Sequence, residues 1–188
     1  DLLGCMIGDL RDVSHWEFGG QVRLMAEPTS LLETVERELA RLAYTAARSK
    51  IGLDSRIPRD LPEVSVDPYR LKRVVSSILH NVLKFAETGS QVVLRARPYG
   101  GQVVFQTTYK PAESVEDLPS MLNMHYGIEN KGSALVCVGA GLGVAARVLR
   151  EMGGDMEVTP GERGLVTLTC LMPQAKETGE TQNGKLRP

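Results

Sequence analysis

The stretch DPYRLKRVVSSILHNVLKFAETG, residues 67–89, decides how the rest of the chain is read. Asp67 followed by Pro68 is a helix start. The carboxylate accepts from the free N–H groups of the first turn, and proline at the first helical position lacks an N–H that would have no partner there. Leu71, Val74, Val75, Ile78, Leu79, Val82 and Phe85 then recur at the spacing of one helical face. The helix is predicted to run to about Ala86, with Gly89 past its end. Arg73, Ser77, Asn81 and Lys84 gather within about 80° on another face. On a lone helix such a row is a solvated surface. Aimed at a ligand, it suits a magnesium–phosphate group, because asparagine offers the metal an oxygen and lysine offers charge.

Working outward, Ser30 and Glu33 form an S-x-x-E capping box that opens a helix over 31–49, with Leu31, Val35, Leu39, Leu42 and Ala46 as its apolar stripe. Before it, 21–26 alternates as a short strand and Pro28-Thr29-Ser30 makes a turn. Leu3, Met6, Leu10 and Val13 follow the 3-4-3 seam of a coiled coil or helical hairpin, stopped at Gly19-Gly20. After it come a strand over 51–57 and a loop over 58–62. Downstream, 91–97 and 102–108 read as two strands joined by a turn at Pro98-Tyr99-Gly100-Gly101. Residues 109–138 read as irregular, with at most one helical turn over 115–122. A helix over 143–152 stops at Gly153-Gly154, and strands over 156–159 and 165–171 flank a Pro160-Gly161 turn. The tail from Gln174 is polar and aperiodic, and is expected to be disordered. Together these elements predict an α+β fold, a two-layer α/β sandwich with helices on a mixed sheet.

Composition narrows the function classes without naming one. The 188 residues are 42% apolar and 24% charged, with 22 basic against 23 acidic side chains and a formal net charge of -1. That balance gives no electrostatic reason to expect nucleic acid or an anionic membrane as partner. Cys5, Cys137 and Cys170 are too scattered for a disulfide framework or a metal site, and read as reduced thiols of a cytoplasmic protein. The longest uncharged run, 133–146, is too short to span a bilayer. The chain opens on Asp without a signal peptide, and reads as a piece of something longer.

Gly139-Ala140-Gly141-Leu142-Gly143 stands immediately before a predicted helix. Glycines let a backbone approach a ligand closely, and the helix N-terminus presents N–H groups to phosphate. Alone, a G-x-G-x-G often marks only a flexible turn. His15 reads as a helix-surface residue. His80 and His125 have no carboxylate or serine partner identifiable by spacing, so they carry no acid–base assignment.

Helix and glycine cluster together resemble the catalytic domain of sensor histidine kinases, in the GHKL ATPase superfamily with its Bergerat ATP-binding fold. Residues 67–89 look like the family's N box, "GAGLGVAARVLREMGGDMEV" like the G2 box with the helix and strand after it, and "GERGLVTLTCLMP" like the closing strand. Residues 1–20 are similar to the end of the dimerisation helix with its linker, 21–173 to the ATP-binding domain, and 174–188 form the tail. The resemblance implies Mg-ATP as cofactor and Asn81 as the residue holding magnesium between the phosphates. Lys84 lies near the phosphates, and Gly139, Gly141, Leu142 and Gly143 hold the nucleotide. Residues 109–138 become a lid over ATP. It further implies a homodimer in the full-length protein, a response regulator or phosphotransfer protein as partner, and a phosphoacceptor His outside this stretch.

The chain also departs from the family. A G1 box, D-x-G-x-G, follows the strand over 103–106 in the family, and its Asp accepts a hydrogen bond from the adenine amino group. On this alignment Thr108 replaces the Asp, Lys110 the first Gly and Ala112 the second, while Ser77 replaces the first Asn of the N box. Losing a bond to a charged acceptor costs about 1.5–3 kcal/mol, roughly 10- to 100-fold in affinity. Two readings stay open: a histidine kinase with impaired or atypical ATP binding, and a pseudokinase of the same fold acting as a scaffold in signalling. Met121, Met124 and Tyr126 are read as packing the lid onto the sheet.

Overall fold

The structure, a computed structural model, describes residues 24–113, 127–131, 134–138 and 141–176. The seam over 1–18, the boundary at 20/21, the helical turn over 115–122, Gly139, Cys5, His15, His125, the methionines at 121 and 124, and Tyr126 lie outside the described residues.

Strand β1 (Glu27–Thr29) pairs antiparallel with β3 (Val64–Val66), Glu27 opposite Val66 and Thr29 opposite Val64. Of the strand expected over 21–26, residues 24–26 are not strand and 21–23 lie outside the described residues; β1 falls on the expected turn, and β3 was not expected at all. Three-residue strands are too short to show an alternation, and their partner 37 residues away defines them. Helix α1 (Leu31–Arg48) starts as expected, with Glu33 N–H donating to Ser30 Oγ at 3.2 Å. Leu31, Val35, Leu42 and Ala46 are buried and Leu39 is half-buried against the core. Strand β2 (Gly52–Arg56) follows.

Helix α2 (Pro68–Phe85) is capped by Asp67, whose Oδ1 accepts from Arg70 N–H and whose Oδ2 accepts from Met25 N–H, both at 3.2 Å. Six of the seven residues of its apolar stripe are buried, and Leu83 joins them. Phe85 does not: it is 37% exposed at the helix end, with Lys84 Nζ 5.1 Å from its ring centre. Asp67→Ala removes both bonds at once. It is expected to cost about 1 kcal/mol, with Asp67→Asn recovering most of it, read from urea midpoints.

Strands β4 (Gln91–Tyr99) and β5 (Gln102–Tyr109) form a hairpin across Gly100-Gly101, both at positive φ (57° and 76°) as a two-residue turn demands. Strands β6 (Gly127–Lys131) and β7 (Ala134–Val138) make an antiparallel ribbon where an irregular segment was expected. A five-residue apolar run between glycines shows no period that separates strand from buried loop, so pairing decides it. Helix α3 (Gly141–Glu151) begins two residues earlier than expected, and β8 (Asp155–Pro160) and β9 (Val166–Pro173) close the fold. Past Pro173 the chain stays tied, with Gln174 N–H donating to Gly101 O and Ala175 N–H to Glu63 O.

The main sheet has the order β2-β4-β5-β9-β8, with β2 parallel to β4 and the other pairs antiparallel. Its inner face (Val92, Leu94, Ala96, Val103, Phe105, Leu168, Cys170, Met172, Met156 and Val158) is buried, while Arg95 and Arg97 are exposed on the other. Helix α2 touches both α1 and α3, and α3 packs on β8. The expected two-layer α/β sandwich with a mixed sheet is the observed fold.

Candidate functional site

The polar row of α2 survives folding with a graded exposure. Arg73, Ser77 and Asn81 are half-buried and Lys84 is exposed. The Asn81 Oδ1 atom is shut off from solvent and has no hydrogen-bond partner among the described residues. An acceptor buried without a donor costs about 1–3 kcal/mol, so this oxygen is left over from the packing of the domain. A hard cation is the ligand such an oxygen suits. The residues present on this side therefore fit a magnesium–phosphate group, with Asn81 as the oxygen donor.

The first turn of α3 supplies the other expected feature. Gly141 is its first residue, and Gly143 is buried without a side chain. Leu142 is fully buried, so its side chain anchors the helix start in the core and only its backbone is left for a ligand. The N–H groups of this turn have no intrahelical acceptor.

At the far end of β5, Thr108 lies on the outer face of the sheet, its Oγ1 3.0 Å from Thr167 Oγ1 on the neighbouring strand, and does not face the helices. Phe105, Thr107 and Tyr109 are the inward residues here, all fully buried. Neither Thr107 Oγ1 nor the Tyr109 hydroxyl has a partner among the described residues, and burial pushes the phenol up to about 12. Beyond Tyr109 the backbone is tied to the end of α2, with Glu87 N–H donating to Lys110 O and Ala112 N–H to Phe85 O, both at 2.8 Å. Lys110 Nζ also pairs with Glu87 Oε2 at 2.6 Å. The base side thus holds a neutral, enclosed phenol beside Lys110, and neither a carboxylate nor the paired glycines that the resemblance asks for. It does not fit an adenine nucleotide as the phosphate side does.

Val103, Phe105, Thr107 and Tyr109 share one face of a period-two strand, and Thr108 stands on the other.

A polar chain between α1 and α2 was also missed. Arg41 Nη2 lies 2.6 Å from the buried Glu38 carboxylate and 2.8 Å from Ser76 Oγ. His80 Nδ1 is 2.8 Å from the Ser76 carbonyl, an acceptor only, which places a proton on that nitrogen. These groups bind one another and align with no nucleophile. Cys170 is buried, and desolvation, with the charge of Asp155 adding, pushes its thiol up to about 12, so it stays protonated. No group of three His, Cys, Asp or Glu among the described residues is placed to hold a metal.

Comparison with known proteins agrees with this fold. No protein-family model matches the sequence. The sensor protein GacS of Pseudomonas syringae pv. syringae is 27% identical over 196 residues, covering 96% of this chain and 21% of its own length. Among solved structures, the Acinetobacter baumannii histidine kinase AdeS superposes with a TM-score of 0.74 at 15% identity, covering 93% of this chain and 80% of AdeS. Full-length ShkA, solved in complex with AMPPNP, gives 0.71 at 19% identity over 90% of this chain and 36% of ShkA. The chain spans about a fifth of the length of the curated relatives it matches. Those relatives are sensor histidine kinases, and the fold is that of their catalytic domains.

Proposed function

We propose, from the premise that this chain corresponds to the catalytic-domain portion of a sensor histidine kinase, that it is a nucleotide domain with its phosphate side kept and its base side remodelled, so that Mg-ATP binds weakly. The observation that carries this is the contrast along one helix. Asn81 holds a buried oxygen with no partner among the described residues, while one turn further on Lys110–Ala112 is strapped to residues 85–87 beside the enclosed Tyr109. ShkA, over part of which this fold superposes, was solved in complex with AMPPNP. In this chain Asn81 holds magnesium, and Gly139, Gly141, Gly143 and the backbone at Leu142 meet the phosphates, with Lys84 near them. The whole protein then transfers the γ-phosphoryl group to a His beyond this stretch, works as a homodimer, and passes phosphate to a response regulator or phosphotransfer protein. None of the described helices is long and apolar enough to cross a membrane.

The second reading is a pseudokinase scaffold of the same fold, which the buried phenol at the base side favours. Calorimetric titration with Mg-ADP and a non-hydrolysable ATP analogue separates the two. The expected result is binding weaker than micromolar, weakened at least a further 10-fold in Asn81→Ala. Micromolar affinity refutes the remodelled base side. No heat up to millimolar nucleotide, from a sample folded by circular dichroism, leaves the scaffold.

A further inference from the structure

We infer that Tyr109 is a built-in plug: its ring takes the seat of the nucleotide base, and the domain holds its own base side shut. The inference rests on the nucleotide-domain reading above and adds the residue that regulates access. Three observations carry it. Tyr109 is the last inward residue of β5, at 0% exposure, opposite Val166 of β9. Its hydroxyl is enclosed without a partner among the described residues, which a residue serving only the core gains nothing from, since phenylalanine would fill the same volume without an orphaned group. And the segment that follows is not free to swing away. Two backbone hydrogen bonds and the Lys110–Glu87 ion pair hold it to the C-terminal end of the helix that carries Asn81. A flat aromatic ring presents the same kind of apolar faces as a purine, so the ligand class excluded is an adenine nucleotide.

The test titrates the full chain with Mg-ADP, and with adenosine as a base-only probe, in wild type, Tyr109→Phe and Tyr109→Ser, with folding followed by circular dichroism. Removing the ring is expected to tighten Mg-ADP at least 10-fold and to make adenosine binding measurable, while Tyr109→Phe keeps the ring and keeps the site shut. A folded Tyr109→Ser that gains no affinity overturns the plug. So does a loss of binding in Tyr109→Phe, which makes the hydroxyl a ligand contact. If Tyr109→Ser does not fold, Tyr109→Val keeps a strand-forming apolar side chain, and the same outcomes decide. Adding Asn81→Ala separates this inference from the reading beneath it. A gain that the second substitution abolishes supports both. A gain indifferent to Asn81 keeps the plug and sinks the phosphate-side assignment.

Discussion

Gly154→Ala is expected to destabilise the domain by about 3 kcal/mol or more, lowering Tm by roughly 6–12 °C for a chain of this size. A Cβ built on Gly154 overlaps the Leu171 carbonyl oxygen and comes within 3.0 Å of Leu149 Cγ and 3.1 Å of its Cδ1. Neither neighbour has room to give. The Leu171 carbonyl belongs to β9, whose register sets Asp155 opposite Leu171, and Leu149 is fully buried in α3. The clash therefore spreads into the α3–β8 crossover. The adjacent Gly153 provides the internal control. Its φ is +80° and its nearest obstacle is Pro173 Cγ at 4.0 Å, so Gly153→Ala meets backbone strain alone, about 1 kcal/mol. Urea denaturation of both variants checks the ordering, and equal midpoints would refute the steric account.

Arg41→Met is expected to cost about 2 kcal/mol. Glu38 is 2% exposed, and Arg41 supplies both bonds to its Oε2, at 2.6 and 2.9 Å. Removing the cation leaves a desolvated carboxylate behind and takes a donor from Ser76 Oγ. The guanidinium side chain is 38% exposed, so solvent screens part of the pair and the figure falls below that for a wholly buried one. Pairing Arg41→Met with Glu38→Leu is expected to recover most of the loss, because no buried charge remains. A double-mutant cycle by urea denaturation measures the coupling. Additive single effects would show that the pair contributes nothing by itself.

Where local rules suffice, the fold was legible. Asp67-Pro68 and Ser30 with Glu33 announce helix starts by chemistry carried within four residues, and the 3.6-residue period of α2 marks its buried face directly. The β4–β5 hairpin follows from two alternating runs around paired glycines. Phe85 belongs to the apolar stripe by count but stands at the helix end, where the layer it would pack against has stopped. The candidate site divides in the same way. Asn81 is singled out by its place on α2, whereas the enclosure of Tyr109 emerges only from the packing around β5.

The amino-acid sequence by itself determined the helices, the two central strands, the α+β class and the place of the Asn81 carboxamide on the polar face of α2. Each depends on spacing within one segment, where backbone geometry translates residue order into direction. Only the tertiary structure decided the β1–β3 and β6–β7 pairings, the enclosure of Tyr109, the outward turn of Thr108 and the Glu38–Arg41–Ser76 chain between helices. Those depend on register and burial, which arise between segments far apart in the chain, and a one-residue change of register turns a ligand contact into a surface hydroxyl.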